Sequence, residues 1–260
     1  MTSPPNIAAQ TADFEFAALR EAANYRAALL RDFGPYLRGN VLEVGAGIGQ
    51  ITAALTQLSA IQRLVSIEPD ADFCAQLLHR LPGHELVQGT IQDLKVDTHW
   101  NAILSINVLE HIELDEEELA AYYRLLHPAA GVLCLFVPAR PEIYAPIDGD
   151  FGHFRRYTQP ELRRRLQSAG FEIVQCRYYN FVGYFAWWLS FCVLKKRSFD
   201  PAAVRLFDRI IFPGVHAFEA RICRPPFGQS LQVVAVARQG RSVELDPREH
   251  PTCGSHSLGG

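Results

Sequence analysis

The chain has 260 residues, 48% of them apolar and 20% charged, so it can bury a core of ordinary domain size and is not a disordered segment. Its formal net charge of −3 leaves no basic surplus for nucleic acid, whose binders lean on Lys and Arg, so no nucleic-acid partner is expected. The six cysteines (Cys74, Cys134, Cys176, Cys192, Cys223, Cys253) are scattered without a C-x-x-C pair, which fits free thiols in a reducing cytoplasm better than disulfides or a zinc site.

Residues 1–12 are polar, contain Pro4-Pro5, lack a basic and apolar leader pattern, and are expected to be disordered. Over 13–33 the apolar residues Phe16, Leu19, Ala23, Ala27 and Leu30 recur at helical spacing, and Gly34-Pro35 ends the helix. The stretch that organises the rest is VLEVGAGIGQIT, residues 41–52. Residues 41–44 read as a buried strand, Gly45, Gly47 and Gly49 as a tight turn, and 48–58 as a helix. Strand, glycine turn and helix form the first unit of a nucleotide-binding α/β sheet. A dinucleotide fingerprint needs G-x-G-x-x-G; here the third glycine comes one place early, and position 50 is Gln50. Glu43, just before the turn, would repel a pyrophosphate and suits a ligand with a cationic end. S-adenosylmethionine, with its sulfonium and ammonium groups, is such a ligand.

On these residues the chain resembles the class I S-adenosylmethionine-dependent methyltransferases, whose first motif is (V/L)-L-(E/D)-x-G-x-G-x-G. The resemblance implies a Rossmann-like α/β fold: a seven-stranded sheet of order 3-2-1-4-5-7-6, last strand antiparallel, flanked by helices. It implies that Glu43, Gly45, Ala46, Gly47 and Gly49 surround the methyl donor. It makes the helix 13–33 a lid over the mouth of the sheet, with Asn24-Tyr25 like the family's pattern and Tyr25 toward the acceptor. A packing helix with a surface tyrosine is the plain alternative.

Residues 63–67 form a second strand that ends in Glu68-Pro69-Asp70. An acid about 20 residues beyond the glycines is where such folds bind ribose hydroxyls, which singles out Glu68 with Pro69 beside it. Asp70 can cap the helix 71–80. After a strand at 85–88 comes Gly89-Thr90-Ile91-Gln92-Asp93-Leu94. The family usually has G-D-A-x-x-L here, around the adenine. Thr90 replaces the acid, Ile91 can cover the ring, and Gln92 or Asp93 can supply an acceptor.

A fourth strand, 101–106, runs into Asn107-Val108-Leu109-Glu110-His111-Ile112. This resembles the (N/E)-V-L-E-H-(I/V) motif of small-molecule methyltransferases, including those of ubiquinone biosynthesis. By that resemblance Asn107 and Val108 sit beside the methionine end. His111 is a candidate general base, an imidazole titrating near neutral pH; alternatively Glu110 and His111 only brace the loop. Asp115 is read as the cap of a helix over 116–126, and 131–137 as the fifth strand.

The loop 138–157 crowds Asp148, Asp150, His153, Arg155, Arg156 and Tyr157 together. Its G-H-F-R-R-Y-T-x-x-E-L segment resembles a subgroup associated with sugar and lipid-linked glycan pathways. One reading makes His153 a base and Arg155, Arg156 and Tyr157 binders of an anionic acceptor group. The other pairs the arginines with Asp148 and Asp150. Thr158 and Glu161 form a capping box for 159–168, Gly170 ends that helix, and the arginines at 163–165 read as a solvated face. Strands six and seven fall at 171–177 and 230–237, with a helical insertion, 179–229, between them.

Residues 178–194 are almost wholly apolar, fall short of the ~20 residues needed to cross a bilayer, and end in Lys195-Lys196-Arg197. The segment is read as an acceptor-pocket wall, a homodimer contact or an interfacial membrane helix. A second helix opens at Asp200-Pro201 and is expected to break at Pro213-Gly214. Residues 239–260 read as a disordered tail, leaving 13–238 as one methyltransferase domain. The expected function is methyl transfer to a small-molecule or lipid- or sugar-linked acceptor, at oxygen or nitrogen. His153 or His111 would be the base, no metal is needed, and the location is cytoplasmic or membrane-peripheral. The alternative is a catalytically silent cofactor-binding module that docks through 178–197.

Overall fold

A computed structural model describes residues 21–94, 99–221 and 224–238. The strands are β1 (Gly39–Val44), β2 (Ile61–Glu68), β3 (Glu85–Gln88), β4 (Ala102–Ile106), β5 (Val132–Pro138), β6 (Glu172–Tyr179) and β7 (Ser230–Val236). They form one sheet of order β3-β2-β1-β4-β5-β7-β6. Only β7 runs against its neighbours, pairing antiparallel with both β5 and β6. The expected fold class and strand order are therefore what the structure has.

The central strands are apolar because both of their faces are covered. Along β1, Leu42 and Val44 join the cluster on one face while Val41 joins the other. In β4 and β5, Ile103, Leu133 and Leu135 alternate in the same way with Ala102, Leu104, Cys134 and Phe136. The first face is closed by helices α4 (Asp115–Leu126) and α6 (Gln159–Ser168), through Tyr122, Leu126, Leu162 and Leu166. The second is closed by α1 (Ala23–Phe33), through Leu29 and Phe33, and by Phe212 of the insertion. The remaining helices before the insertion are the short α2 (Thr52–Leu55), α3 (Ala71–Arg80) and α5 (Pro146–Asp150).

Several local expectations change. The helix after the glycine turn starts later than residue 48, because Gly45, Gly47 and Gly49 sit at φ of +72°, +53° and +77° and keep the chain turning. Asp115 lies inside α4 and is buried, where it accepts from Tyr157 Oη (2.7 Å) and Arg165 Nη1 (2.6 Å) instead of capping. Arg165 is thereby removed from the supposed solvated face. Asp70, by contrast, does cap α3, its Oδ1 accepting from the backbone N–H of Asp72 and Phe73 at 2.8 and 3.0 Å.

The insertion is two helices. β6 runs on to Tyr179, and Asn180, at φ +59°, turns the chain. Then α7 (Phe181–Trp187) continues as a wider π-helical turn, Trp188–Val193. The second arm is α8 (Pro201–Leu206), a π-helical turn over Phe207–Ile211, and α9 (Phe212–Arg221). Pro213 does not break this arm. A proline lacks the N–H and clashes with the carbonyl one turn back, and the widened turn just before it relieves both problems. The expectations for 1–12, 13–20, 239–260, Cys223 and Cys253 lie outside the described residues.

The lid helix α1 has no cap of its own, since Ala22 precedes it. Asp208 of the insertion does that work from a distance: its carboxylate accepts from the backbone N–H of Asn24 and Tyr25, both at 2.9 Å. Near the other end of α1, Asp32 meets Arg177 of β6 at 2.8 Å and His216 of α9 at 3.1 Å. Asp208→Ala should therefore destabilise the chain by about 1–2 kcal/mol, as losing a helix cap does, and urea unfolding will read the loss. An unchanged midpoint would show that the lid is held by its apolar face alone.

Candidate active site

The glycine turn is closed by its own hydrogen bonds. The N–H groups of Gly45 and Ala46 donate to the Ile67 carbonyl at 2.9 and 3.0 Å, and that of Gly49 to the Ala46 carbonyl at 3.0 Å. A side chain at Gly45 would collide with Val108, and its φ of +72° disfavours one independently. A Cβ at Gly49 would come within 2.8 Å of Leu77 Cγ in α3. The turn thus packs directly on the β4 turn and on α3.

Glu43 points beneath the turn. It is buried, and its Oε2 accepts from Thr52 Oγ1 and Ser66 Oγ, each at 2.7 Å. Burial pushes its carboxyl up to about 7, against the pull of those two hydroxyls. Glu68, also buried, ends β2 and reaches back to the turn: Oε2 accepts from Gly47 N–H at 2.8 Å and Oε1 from Asp70 N–H at 3.0 Å. Burial raises its carboxyl too, opposed by the backbone N–H groups of Asp70 and Gly47. Pro69 follows it directly.

Beyond β3, Thr90 and Asp93 cap a short helical turn, with Thr90 N–H donating to Asp93 Oδ2 at 2.8 Å. Ile91 is buried there and Gln92 exposed. At the end of β4, Asn107 takes φ +52°, a strained angle for a residue with a side chain, while its N–H donates to the Phe136 carbonyl at 2.9 Å. Asn107 also lines a cavity.

That cavity, of about 360 Å³, lies between the ends of β4 and β5, the lid and the insertion. Tyr25, Trp187, Phe191, Phe199, Phe207 and Phe212 give it aromatic walls, and Asn107, Glu110 and His153 are its polar lining near the sheet. His153 is oriented from behind: its Nδ1 lies 3.1 Å from Asp148 Oδ1. Asp148 also accepts from Arg156 Nε at 2.9 Å and from the backbone N–H of Ala145 at 2.8 Å. Burial alone would raise its carboxyl, but the His153 bond and the Arg156 charge bring it below the usual range. An ionised Asp148 needs a hydrogen from Nδ1, so the lone pair of the neutral imidazole is on Nε2.

His111 packs edge to face on His153, ring centroids 4.7 Å apart, and does not line the cavity. Burial, then the neighbouring His153, lowers it to about 4. Glu110, His111 and His153 bring one ligand atom each within 4.8 Å of one another, a donor set that a divalent ion can use.

The other expected acceptor residues divide. Tyr25 lines the cavity, its ring 4.9 Å from Phe212 and 5.6 Å from Tyr179. Arg156 lines it too, but its guanidinium pairs with Asp148 and stacks 4.3 Å from the Trp187 ring. Arg155 turns away, to Asp115 at 2.9 Å and the Glu113 carbonyl at 2.8 Å. Tyr157 is fully buried and donates to Asp115. In this structure Arg155 and Tyr157 order the loop and do not reach the cavity; the second half of the alternative pairing also differs, since Asp150 pairs with Arg197 and not with an arginine of the loop.

Strand order, glycine turn and the acid ending β2 together define a class I S-adenosylmethionine-dependent methyltransferase. The model of the methyltransferase domain family matches residues 16–176, and the chain belongs to that family. Its cofactor is S-adenosylmethionine. The residues fit that group: the turn carries no side chain at its tightest points, and a carboxylate takes about four hydrogen bonds, of which the backbone uses two at Glu68.

Among solved structures, a chain from the complex between the Haloferax volcanii Trm112 methyltransferase activator and a methyltransferase superposes with a TM-score of 0.60 at 16% identity, covering 92% of this chain and 100% of that one. A Bacillus halodurans methyltransferase gives 0.56 at 19% identity, covering 82% and 99%. A Mesorhizobium loti S-adenosylmethionine-dependent methyltransferase gives 0.55 at 14%, covering 80% and 95%. No curated protein matches the chain.

Sequence reasoning missed Asp208 and the aromatics that the second arm brings to the cavity, Phe207 and Phe212; the first arm's Trp187 and Phe191 fall in the segment 178–194, for which a pocket wall was one of the readings. The signal for Asp208 was a lone acid between Phe207 and Ile210 on an otherwise apolar helix face, which is a poor place for a charge without a partner.

Two tests follow from this geometry. Gly45→Ala should weaken binding of S-adenosylhomocysteine by at least about tenfold in calorimetry, because the left-handed backbone and Val108 both oppose a methyl group. Burial raises the Glu43 carboxyl from 4.5 in the unfolded chain to about 7, so its protonated form favours folding. Stability should fall as pH rises from 4.5 to 7, by on the order of 3 kcal/mol, and Glu43→Gln should flatten that slope in urea melts.

Proposed function

We propose that this methyltransferase transfers a methyl group to a hydroxyl, or to an amine, of a small-molecule or lipid- or sugar-linked acceptor held in the aromatic cavity, with His153 as general base. The observation that carries the reading is the Asp148–His153 pair, which aims an imidazole lone pair at the Glu110 side of that cavity. An apolar enclosure with a few polar groups at one end suits an acceptor with a greasy body and one reactive polar atom.

When bound, S-adenosylmethionine supplies the electrophilic methyl group. The chain's own residues supply the rest. Gly45, Ala46, Gly47 and Gly49 let the backbone approach the ligand, with the Glu43 carboxyl beneath them. Glu68, flanked by Pro69, takes the ribose hydroxyls. Thr90, Ile91 and Gln92 border the adenine, and Asn107 and Val108 the methionine end. Tyr25 and the insertion aromatics hold the acceptor and keep water out. His153 Nε2 takes the proton that the acceptor hydroxyl or amine gives up as its oxygen or nitrogen bonds to the methyl carbon and that carbon's bond to sulfur breaks. Arg156 stays on Asp148 and keeps it ionised. Here His111 is a positioning neighbour: its lowered pKa keeps it neutral beside His153.

The test uses a radiolabelled methyl donor with fractionated lipid and sugar extracts. His153→Gln should lower kcat by about a hundredfold or more while S-adenosylhomocysteine binding stays unchanged. A smaller loss is expected for His111→Gln. Full activity in His153→Gln would remove the base assignment. Activity abolished by a chelator and restored by a divalent ion would recast Glu110, His111 and His153 as metal ligands. Tight cofactor binding with no transfer to any fraction would favour the silent binding module.

A further inference from the structure

The two arms of the insertion have unequal sides. Their inner sides carry Trp187, Phe191 and Phe207 into the cavity wall. Their outer sides are apolar as well and are not covered by the described residues: Phe185 is 50% exposed, Trp188 46%, Leu189 49% and Ile210 69%. The positions 185, 188 and 189 share one face of α7 and its extension. A chain that leaves this much large apolar surface open on adjoining helices normally covers it with something.

Charge says what. The chain as a whole is acidic, at −3. The insertion is the reverse: between 180 and 221 the basic residues are Lys195, Lys196, Arg197, Arg205, Arg209 and Arg221, of which Arg197 pairs with Asp150 and Arg205 with Glu21. Its acids are Asp200, Asp208 and Glu219, of which Asp208 and Glu219 are buried as helix caps. Lys195 and Lys196 follow directly on the apolar Val193-Leu194 and are exposed, without an ion pair among the described residues. Lys196 also lines the cavity. A basic fringe on a Trp- and Leu-bearing apolar face is the pattern that sits at the headgroup level of an anionic bilayer. A second copy of the chain would set the same positive fringe against itself, which disfavours that occupant. No described helix is long and apolar enough to cross a membrane.

We propose that the outer face of the insertion, centred on Trp188 and Leu189 with Lys195 and Lys196 at its edge, docks on an anionic lipid surface. The cavity walls then stand at that surface, and an acceptor with an acyl or prenyl tail can enter from the lipid side. The docking itself does not depend on the choice of base or acceptor atom.

The experiment is co-sedimentation of the full chain with phosphatidylcholine vesicles, with and without phosphatidylserine, at low and high salt. Binding is expected to the anionic vesicles, to weaken with salt, and to drop by at least about tenfold in the double variant Lys195→Glu, Lys196→Glu. Trp188→Glu should abolish it. Both variants must keep the wild-type thermal midpoint and S-adenosylhomocysteine affinity, so that unfolding is not mistaken for lost docking. Leu189→Glu serves as a second apolar probe if Trp188→Glu fails to fold. Protein left in the supernatant with every vesicle overturns the proposal. So does binding that none of these variants alters. A dimer in sedimentation equilibrium that Trp188→Glu dissociates, without vesicle binding, assigns the face to a second copy and overturns it as well. Because the readout is vesicle binding, failure here is separate from failure to find methyl transfer.

Discussion

Asp208 is the interaction on which the cavity between lid and insertion depends. Its carboxylate is almost wholly buried and is held by two backbone N–H groups at the start of the lid helix. Taking a charge out of water is costly unless hydrogen bonds replace the solvent, and a helix N-terminus offers both donors and a favourable dipole. The consequence is architectural. Lid and insertion come from opposite ends of the chain, yet they meet through this group and leave the cavity between them. Asn24 adds a bond to the Asp208 carbonyl at 3.0 Å, and Asp32 repeats the connection farther along the lid.

Asp148 plays the corresponding part under His153. Buried ion pairs are weak sources of stability, because desolvation offsets much of the attraction. The Asp148–Arg156 pair is better understood by what it fixes. It holds one imidazole nitrogen of His153, and it spreads Arg156 against Trp187, tying the loop after β5 to the first arm of the insertion. Sheet, loop and insertion therefore share one set of charges, and the position of the imidazole is a property of all three.

The sheet and the glycine turn could be read from the sequence, and the partners of the charged loop after β5 could not all be, for a physical reason. Gly45, Gly47 and Gly49 are dictated by local backbone angles, and Glu68 by its place at the end of a strand. Such constraints act over a few residues and leave local marks. Strand β3 and helix α3 were legible to the residue on the same ground. The partners of Arg155, Arg156 and Tyr157 were decided by distant groups. Arg155 and Tyr157 found Asp115 on the far side of the loop, and Arg156 chose Asp148 over an external anion. Pro213 misled because its local rule assumes an α-helix, and the turn before it is wider than one.

Those wide turns have a meaning of their own. Both arms contain one, Trp188–Val193 in the first and Phe207–Ile211 in the second, and both lie in the cavity wall. Each residue added to or taken from a helix rotates everything beyond it by about 100° around the axis. A widened turn confines such a change to itself. Shortening either arm by a single residue would therefore swing a new set of side chains into the cavity while β6, β7 and the cofactor's end of the sheet stayed in register. The insertion is in this sense an interchangeable wall, whose cavity face can change without disturbing the sheet.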